Sequence, residues 1–79
     1  MKVLYFAQAA LAAGCREEDW PVGRELSLED FWSEAIRRHP AMEGLAAQCR
    51  VASGMNYVAG GQCLDPQAEA AVIPPVSGG

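Results

Sequence analysis

The sequence is short of the residues from which self-contained active sites are usually built. It has a single histidine, His39, and none of the motifs GxGxxG, GxxxxGK[ST], HExxH or GxSxG. One histidine gives no conventional catalytic triad, and we expect it to cap or pack at a helix end. We therefore expect no catalytic machinery, no histidine-based metal cluster and no bound cofactor in this chain.

Positive charge is also scarce. The chain has 6 lysines and arginines against 10 aspartates and glutamates, a formal net charge of −4. After Val51 its only charged side chains are Asp65 and Glu69. Nucleic-acid binding requires clustered lysines and arginines, so this balance argues against it. An acidic chain is instead suited to a basic cleft on a partner protein.

The cysteines and the length of the apolar runs predict a protein of the cytoplasm. Three cysteines, Cys15, Cys49 and Cys63, form neither a CxxC pair nor a complete disulfide set, so we expect free thiols in the reducing cytoplasm. No apolar run approaches the roughly 18 residues of a membrane helix, and we expect no membrane partner. "MKVLYFAQAALAAGC" resembles a lipoprotein signal, but it has one basic residue and Gln8 interrupts its apolar run. We expect this segment to belong to the fold.

The pattern of apolar residues predicts an α+β fold in one domain. Lys2–Ala7 and Ala70–Ile73 are apolar on both faces, which is typical of central strands. Between them, a helix is predicted from the N-cap Ser27 to Pro40, with an apolar stripe at i, i+3, i+4 spacing. The stripe consists of Leu28, Phe31, Trp32, Ala35, Ile36 and His39.

Weaker strands are predicted at residues 24–28 and on both sides of Gly54, whereas residues 15–23 read as a polar connection. Within that connection, the charges of Arg16–Asp19 are expected to be solvated. The order β-β-α-β-β-β predicts a β-grasp (ubiquitin-like) fold, a mixed sheet packed on one main helix. We expect its first and last strands to pair at the sheet centre, with residues 1–74 forming the domain and 75–79 a flexible tail ending in Gly-Gly.

The tail is the one candidate for chemistry. Pro74 and Pro75 cannot donate backbone hydrogen bonds and should end the last strand. Gly78 and Gly79 have no Cβ, so they could thread a narrow channel and present the terminal carboxylate. Adenylation would activate that carboxylate, and a sulfur nucleophile could then replace AMP to leave a thiocarboxylate. The alternative is a frayed terminus without a function.

The two ends of the chain carry a family resemblance. "KVLYFAQAALAAG" and "AAVIPPVSGG" resemble the MoaD-like small sulfur-carrying subunits of molybdopterin synthase, in the ThiS/MoaD ubiquitin-like superfamily. The resemblance implies that an adenylyltransferase of the ubiquitin-activating type uses ATP to activate Gly79, which becomes a thiocarboxylate. The large synthase subunit, in a heterotetramer, would take the sulfur to build the molybdopterin dithiolene. The small subunit would donate sulfur without catalysing the reaction.

The predicted partner-binding residues are Pro75, Val76, Ser77, Gly78, Gly79 and Phe6, and the sheet face around Phe6, Val58 and Ile73 is the predicted contact surface. Three other functions remain open from the residues. A related carrier could supply sulfur for thiamine or cysteine. A ubiquitin-like modifier could transfer the same Gly79 to lysines. A β-grasp binding module could have an inert tail.

Overall fold

A computed structural model describes residues 1–75 of the 79-residue chain. Its elements in chain order are β1 Lys2–Tyr5, α1 Gln8–Ala13, β2 Glu17–Asp19, β3 Leu26–Ser27, α2 Leu28–Arg38, a 3-10 helix Pro40–Gly44, β4 Arg50–Ser53, β5 Asn56–Tyr57, β6 Cys63–Leu64 and β7 Ala70–Ile73. Five strands form one sheet in the order β2-β1-β7-β4-β5, and β3 pairs with β6. In the described part of the chain, no helix is both long and apolar enough to cross a membrane.

The predicted pairing of the two chain ends is confirmed. β1 and β7 are parallel, with Val3 opposite Ala70 and Tyr5 opposite Val72. β4 pairs antiparallel with the other edge of β7, so the sheet is mixed and its middle strand is β7. β7 has a hydrogen-bonded neighbour on both sides, and along it the buried Ala70 and Val72 alternate with the half-buried Ala71 and Ile73. The β-grasp prediction is therefore confirmed.

The main helix forms where the sequence predicted it. The Oγ atom of Ser27 accepts a hydrogen bond of 3.0 Å from the backbone N–H of Asp30, which caps the N-terminus of α2. Arg37 and Arg38 lie in the last turn of α2, where the helix dipole favours positive charge, and both pair with Glu34. The helix ends at His39, whose φ of −135° follows from the proline at position 40.

The core lies between α2 and the sheet. Phe31 and Ala35 on the helix are fully buried against Val3, Val51 and Val72 on three adjacent strands. The other apolar residues of the predicted stripe pack at the margin of this core, where they are partly buried. They are Leu28, Trp32 and Ile36.

The interpretation of residues 15–23 as a polar connection was wrong, because this segment contains a strand. The strand next to β1 is Glu17–Asp19, in the segment interpreted as a polar connection, and it pairs antiparallel with Lys2–Leu4. Residues 24–28, where a strand was predicted, contribute the two-residue β3, which pairs with β6. β2 is an edge strand, and an edge strand can carry charged residues on its exposed positions, so hydrophobic patterning missed it.

The first strand is shorter than predicted because the chain turns sharply at Ala7. This residue has φ 49° and ψ −126°, a backbone conformation that favours glycine. The turn lets the carbonyl oxygen of Phe6 accept from Ala9 N–H at 2.9 Å and starts α1. At the other end of α1, Gly14 takes a left-handed φ of 74° and ends the helix.

These two ends of α1 predict opposite effects on stability. Ala7→Gly should raise the free energy of unfolding by about 1 kcal/mol, because relief of backbone strain exceeds the entropy cost of glycine. Gly14→Ala should lower it by about 1 kcal/mol, because a Cβ is unfavourable at positive φ. No atom lies within 4 Å of the added Cβ, so the cost would not be a clash.

Urea unfolding of both variants measures the effect, with Gly23→Ala as the control. Gly23 is also free of neighbours within 4 Å and has no positive φ, so its variant should be close to neutral. A destabilised Ala7→Gly variant would contradict the strain at Ala7.

Candidate functional site

The end of the described chain leaves the sheet beside an exposed aromatic side chain. Parallel pairing of β1 and β7 places their C-terminal ends at the same edge, so Phe6 follows β1 where Pro74 follows β7. The backbone N–H of Phe6 donates to the carbonyl oxygen of Val72 at 3.2 Å, which extends the pairing by one residue. Pro74 is buried and Pro75 is exposed. Any chain that continues from Pro75 therefore starts at this edge.

An apolar groove surrounds this exit. It is lined by Phe6, Ala7, Gln8, Leu11, Ile73, Pro74 and Pro75, from the ends of both strands and the first turns of α1. Phe6 is 48% exposed and Leu11 is 82% exposed. Exposed apolar side chains grouped in a groove are typical of protein–protein contact surfaces.

The predicted site residues have three outcomes. Phe6, Ile73 and Pro75 lie together at the groove, as expected. Val58 does not join them, because it packs on the core and lines a different cavity with Trp32 and Tyr57. Val76, Ser77, Gly78 and Gly79 lie outside the described residues, so their roles stay predictions.

A polar cluster that does not line the groove was not predicted from the sequence. Its centre is Glu18, one of the Arg16–Asp19 charges expected to be solvated. Its Oε1 atom accepts from Tyr5 Oη at 2.5 Å and from Trp20 Nε1 at 2.8 Å, and lies 2.8 Å from His39 Nε2. His39 caps α2, as expected, and its ring meets Tyr5 edge-on. The spacing of Glu18 on β2 two residues before the buried Trp20, which puts both on one face of an extended chain, was the available signal.

Hydrogen bonding dominates the ionisation of Glu18. Burial alone would raise the pKa of its carboxyl group, but hydrogen bonds from Trp20, Tyr5 and His39 stabilise the carboxylate and lower the pKa below 4.5. Burial, together with the hydrogen bond and charge of Glu18, raises the pKa of the Tyr5 hydroxyl. The Tyr5 hydroxyl therefore stays protonated and remains a donor.

The cysteines are free thiols in the described part of the chain, as expected. Burial and the nearby charge of Glu18 raise the pKa of Cys15, and burial raises the pKa of Cys49. Cys63 is exposed. A raised pKa disfavours the nucleophilic thiolate form, so neither Cys15 nor Cys49 is set up as a nucleophile.

Comparison with known proteins decides the family. Residues 3–79 match the sequence pattern that defines the ThiS family. The chain belongs to the ThiS family. Within it, the human protein named molybdopterin synthase sulfur carrier subunit is 39% identical over 82 residues, covering 100% of this chain and 93% of the human one. The Chlamydomonas reinhardtii protein of the same name is 36% identical over 81 residues, covering 100% and 98%.

A solved structure supports the same fold for this ThiS-family chain. SAMP1 from Haloferax volcanii, also called small archaeal modifier protein 1, superposes with a TM-score of 0.81. The two sequences are 29% identical, and the alignment covers 100% of this chain and 98% of SAMP1. This chain is thus similar both to proteins named as sulfur carrier subunits and to a protein named as a modifier.

The Glu18 cluster predicts a specific response to acid. The folded-state pKa of Glu18 is lower than its ordinary 4.5, so its stabilising contribution is complete above that pH and is lost as pH falls through the folded-state value. Glu18→Gln should cost about 1–2 kcal/mol at neutral pH, because Tyr5 and Trp20 would then donate to a neutral amide. The loss should shrink in acid.

Urea midpoints at neutral pH and at about pH 3.5 measure this difference. Glu17→Gln is the matched control on the same strand, since the Glu17 side chain is 59% exposed. An equal cost for Glu18→Gln at both pH values would show that the carboxylate charge does not matter.

Proposed function

We propose that this chain is a sulfur carrier for molybdenum cofactor biosynthesis. In this function Gly79 carries a thiocarboxylate whose sulfur is donated within the large subunit of molybdopterin synthase. The observation that carries the proposal is full-length identity of 36–39% to two proteins named as that sulfur carrier subunit. The sequence ending in Gly78-Gly79 and the exit of the chain from β7 are consistent with it.

The reaction at Gly79 would take place on partner enzymes. An adenylyltransferase of the ubiquitin-activating type would join the carboxylate to the α-phosphorus of ATP and release pyrophosphate. A sulfur nucleophile would then attack the acyl carbon and displace AMP, which leaves the thiocarboxylate. Sulfur transfer to the pterin precursor, with a water oxygen replacing sulfur, would regenerate the carboxylate. This chain would bind no cofactor and would act in the cytoplasm.

The domain would act as the recognition handle for both partners. The apolar groove at the exit, which Phe6 lines, is the surface on which the large subunit would dock in a heterotetramer. The residues after Pro74 can extend roughly 17 Å at about 3.3–3.6 Å per residue. That length is enough for Gly79 to enter a channel while the groove stays bound to the partner.

Two other uses of the same tail share its first step. Sulfur delivery for thiamine or cysteine would use the same diglycine, but the names of the relatives favour the molybdenum cofactor. Transfer of Gly79 to lysines is the second candidate, favoured by similarity to the protein named small archaeal modifier protein 1. The modifier would form high-mass conjugates, whereas the carrier would not.

Removal of Gly79 is expected to abolish sulfur transfer without unfolding the domain. With the adenylating partner, ATP and a sulfur donor, the intact chain should gain the mass difference between sulfur and oxygen. The chain without Gly79 should gain nothing and keep its urea midpoint, because the described core ends before the tail. Intact mass spectrometry measures the product. Sulfur loading of the truncated chain would refute the proposal, and conjugates on other proteins would favour the modifier.

Truncation of Phe6 is expected to weaken docking of the large subunit. Phe6→Ala should raise the dissociation constant about 10-fold or more, as is typical for an aromatic residue central to an interface. Met55→Ala is the control, because Met55 is 98% exposed and lies outside the groove. Calorimetric titration of the two variants measures the difference. Equal affinities for Phe6→Ala and the wild type would place the interface elsewhere.

A further inference from the structure

Three side chains of the types that bind metals meet at the Glu18 cluster. The Sγ atom of Cys15, a carboxylate oxygen of Glu18 and a ring nitrogen of His39 all lie within 4.8 Å of one another. Cys15 follows α1, Glu18 is on β2, and His39 ends α2. The fold therefore brings together residues that are 3 and 21 positions apart. That spacing resembles no metal motif, and the single histidine had led us to expect no histidine-based metal cluster.

The ligand set is chemically suited to zinc. Zn²⁺ is bound in proteins by thiolate, imidazole and carboxylate, often by three protein ligands with water in the fourth position. Bonds of about 2.0–2.3 Å put neighbouring tetrahedral ligand atoms roughly 3.3–3.8 Å apart. The Glu18 Oε1 and His39 Nε2 atoms, 2.8 Å apart, would therefore have to separate by about 0.5 Å or more. A pair at the 4.8 Å limit would have to close by about 1 Å, a distance that side-chain rotation can supply.

Neighbouring residues hold two of the three ligands in place. Tyr5 and Trp20 donate to Oε1 of Glu18, and hydrogen bonds of this kind orient metal-binding carboxylates. The edge-on contact with Tyr5, with ring centroids 5.7 Å apart, and the helix end fix the position of the His39 ring. The carboxylate of Glu18 has a second oxygen that accepts no hydrogen bond from any side chain within residues 1–75.

Charge and access are also appropriate for a divalent cation. Glu18 and a Cys15 thiolate would together balance the charge of Zn²⁺. Within residues 1–75, no lysine or arginine forms an ion pair with Glu18, and the nearby Arg38 pairs with Glu34 instead. All three candidate ligands are half-buried, so an ion can reach them from solvent.

We propose that Cys15, Glu18 and His39 bind one zinc ion. Binding displaces the Cys15 thiol proton into solvent, and the His39 proton moves by exchange with solvent from Nε2 to Nδ1. The His39–Glu18 hydrogen bond is replaced by two bonds to the metal. The ion joins the turn after α1 to the end of α2. The site is separate from Gly79 and does not depend on the proposed sulfur chemistry.

Cobalt titration of the full chain under a phosphine reductant tests the site. Co²⁺ substitutes for zinc and gives a thiolate-to-cobalt absorption band, so one equivalent should produce the band and zinc should abolish it. Cys15→Ser should remove the band, because it removes the thiolate. Both Cys15→Ser and His39→Gln should weaken zinc binding more than 10-fold. Cys63→Ser and Cys49→Ser are matched controls and should keep both. Tyr5→Phe should weaken zinc binding about 10-fold while it keeps the band.

A second measurement needs no substitution. Zinc should slow alkylation of Cys15 in the wild-type chain, without protecting Cys63, as read by peptide mass spectrometry. This measurement decides the matter if Cys15→Ser fails to fold. The proposal is overturned if millimolar cobalt gives no thiolate band, if the band survives in Cys15→Ser, or if zinc leaves the alkylation of Cys15 unchanged.

Discussion

The parallel pairing of β1 with β7 is the constraint on which the rest of the structure depends. It joins the first and last elements of the chain, so both must be in place before the sheet is complete. The pair also provides the buried floor on which Phe31 and Ala35 of α2 pack. Because parallel strands end at the same edge, it also brings the exposed Phe6 next to Pro74. Core formation and the position of the tail exit thus have one cause.

Much of this arrangement could be predicted from the sequence, because its strongest elements have local signals. Ser27 and Pro40 delimit α2, and the uninterrupted apolar character of Ala70–Ile73 identifies a central strand. The tail could be predicted as the functional segment because the chain offers so little else for chemistry, and because its ending resembles a known family. Phe6 was predicted to belong to a contact surface, and the structure places its half-exposed side chain at the groove.

The remainder depended on contacts that no local pattern reports. β2 is charged at every position, and its pairing with β1 is visible only when Glu18 and Trp20 are seen to face Tyr5. The partnership of Glu18 with His39 spans 21 residues of sequence and arises from the way α2 crosses the sheet. The prediction that Val58 lies on the contact surface was wrong, because its side chain packs on the core and not at the groove. Long-range polar contacts of this kind require the fold itself.

The central position of β7 has a mechanical consequence. Any force applied at the C-terminus, for example by a partner that draws the tail into a channel, is transmitted along β7. Since β7 is hydrogen-bonded to β1 on one side and β4 on the other, that force acts in shear on both ladders at once. Hydrogen bonds loaded in shear must break together, whereas those of an edge strand peeled from its end break one by one. The chain after Pro75 is therefore attached to a strand that two hydrogen-bonded ladders hold against a pull.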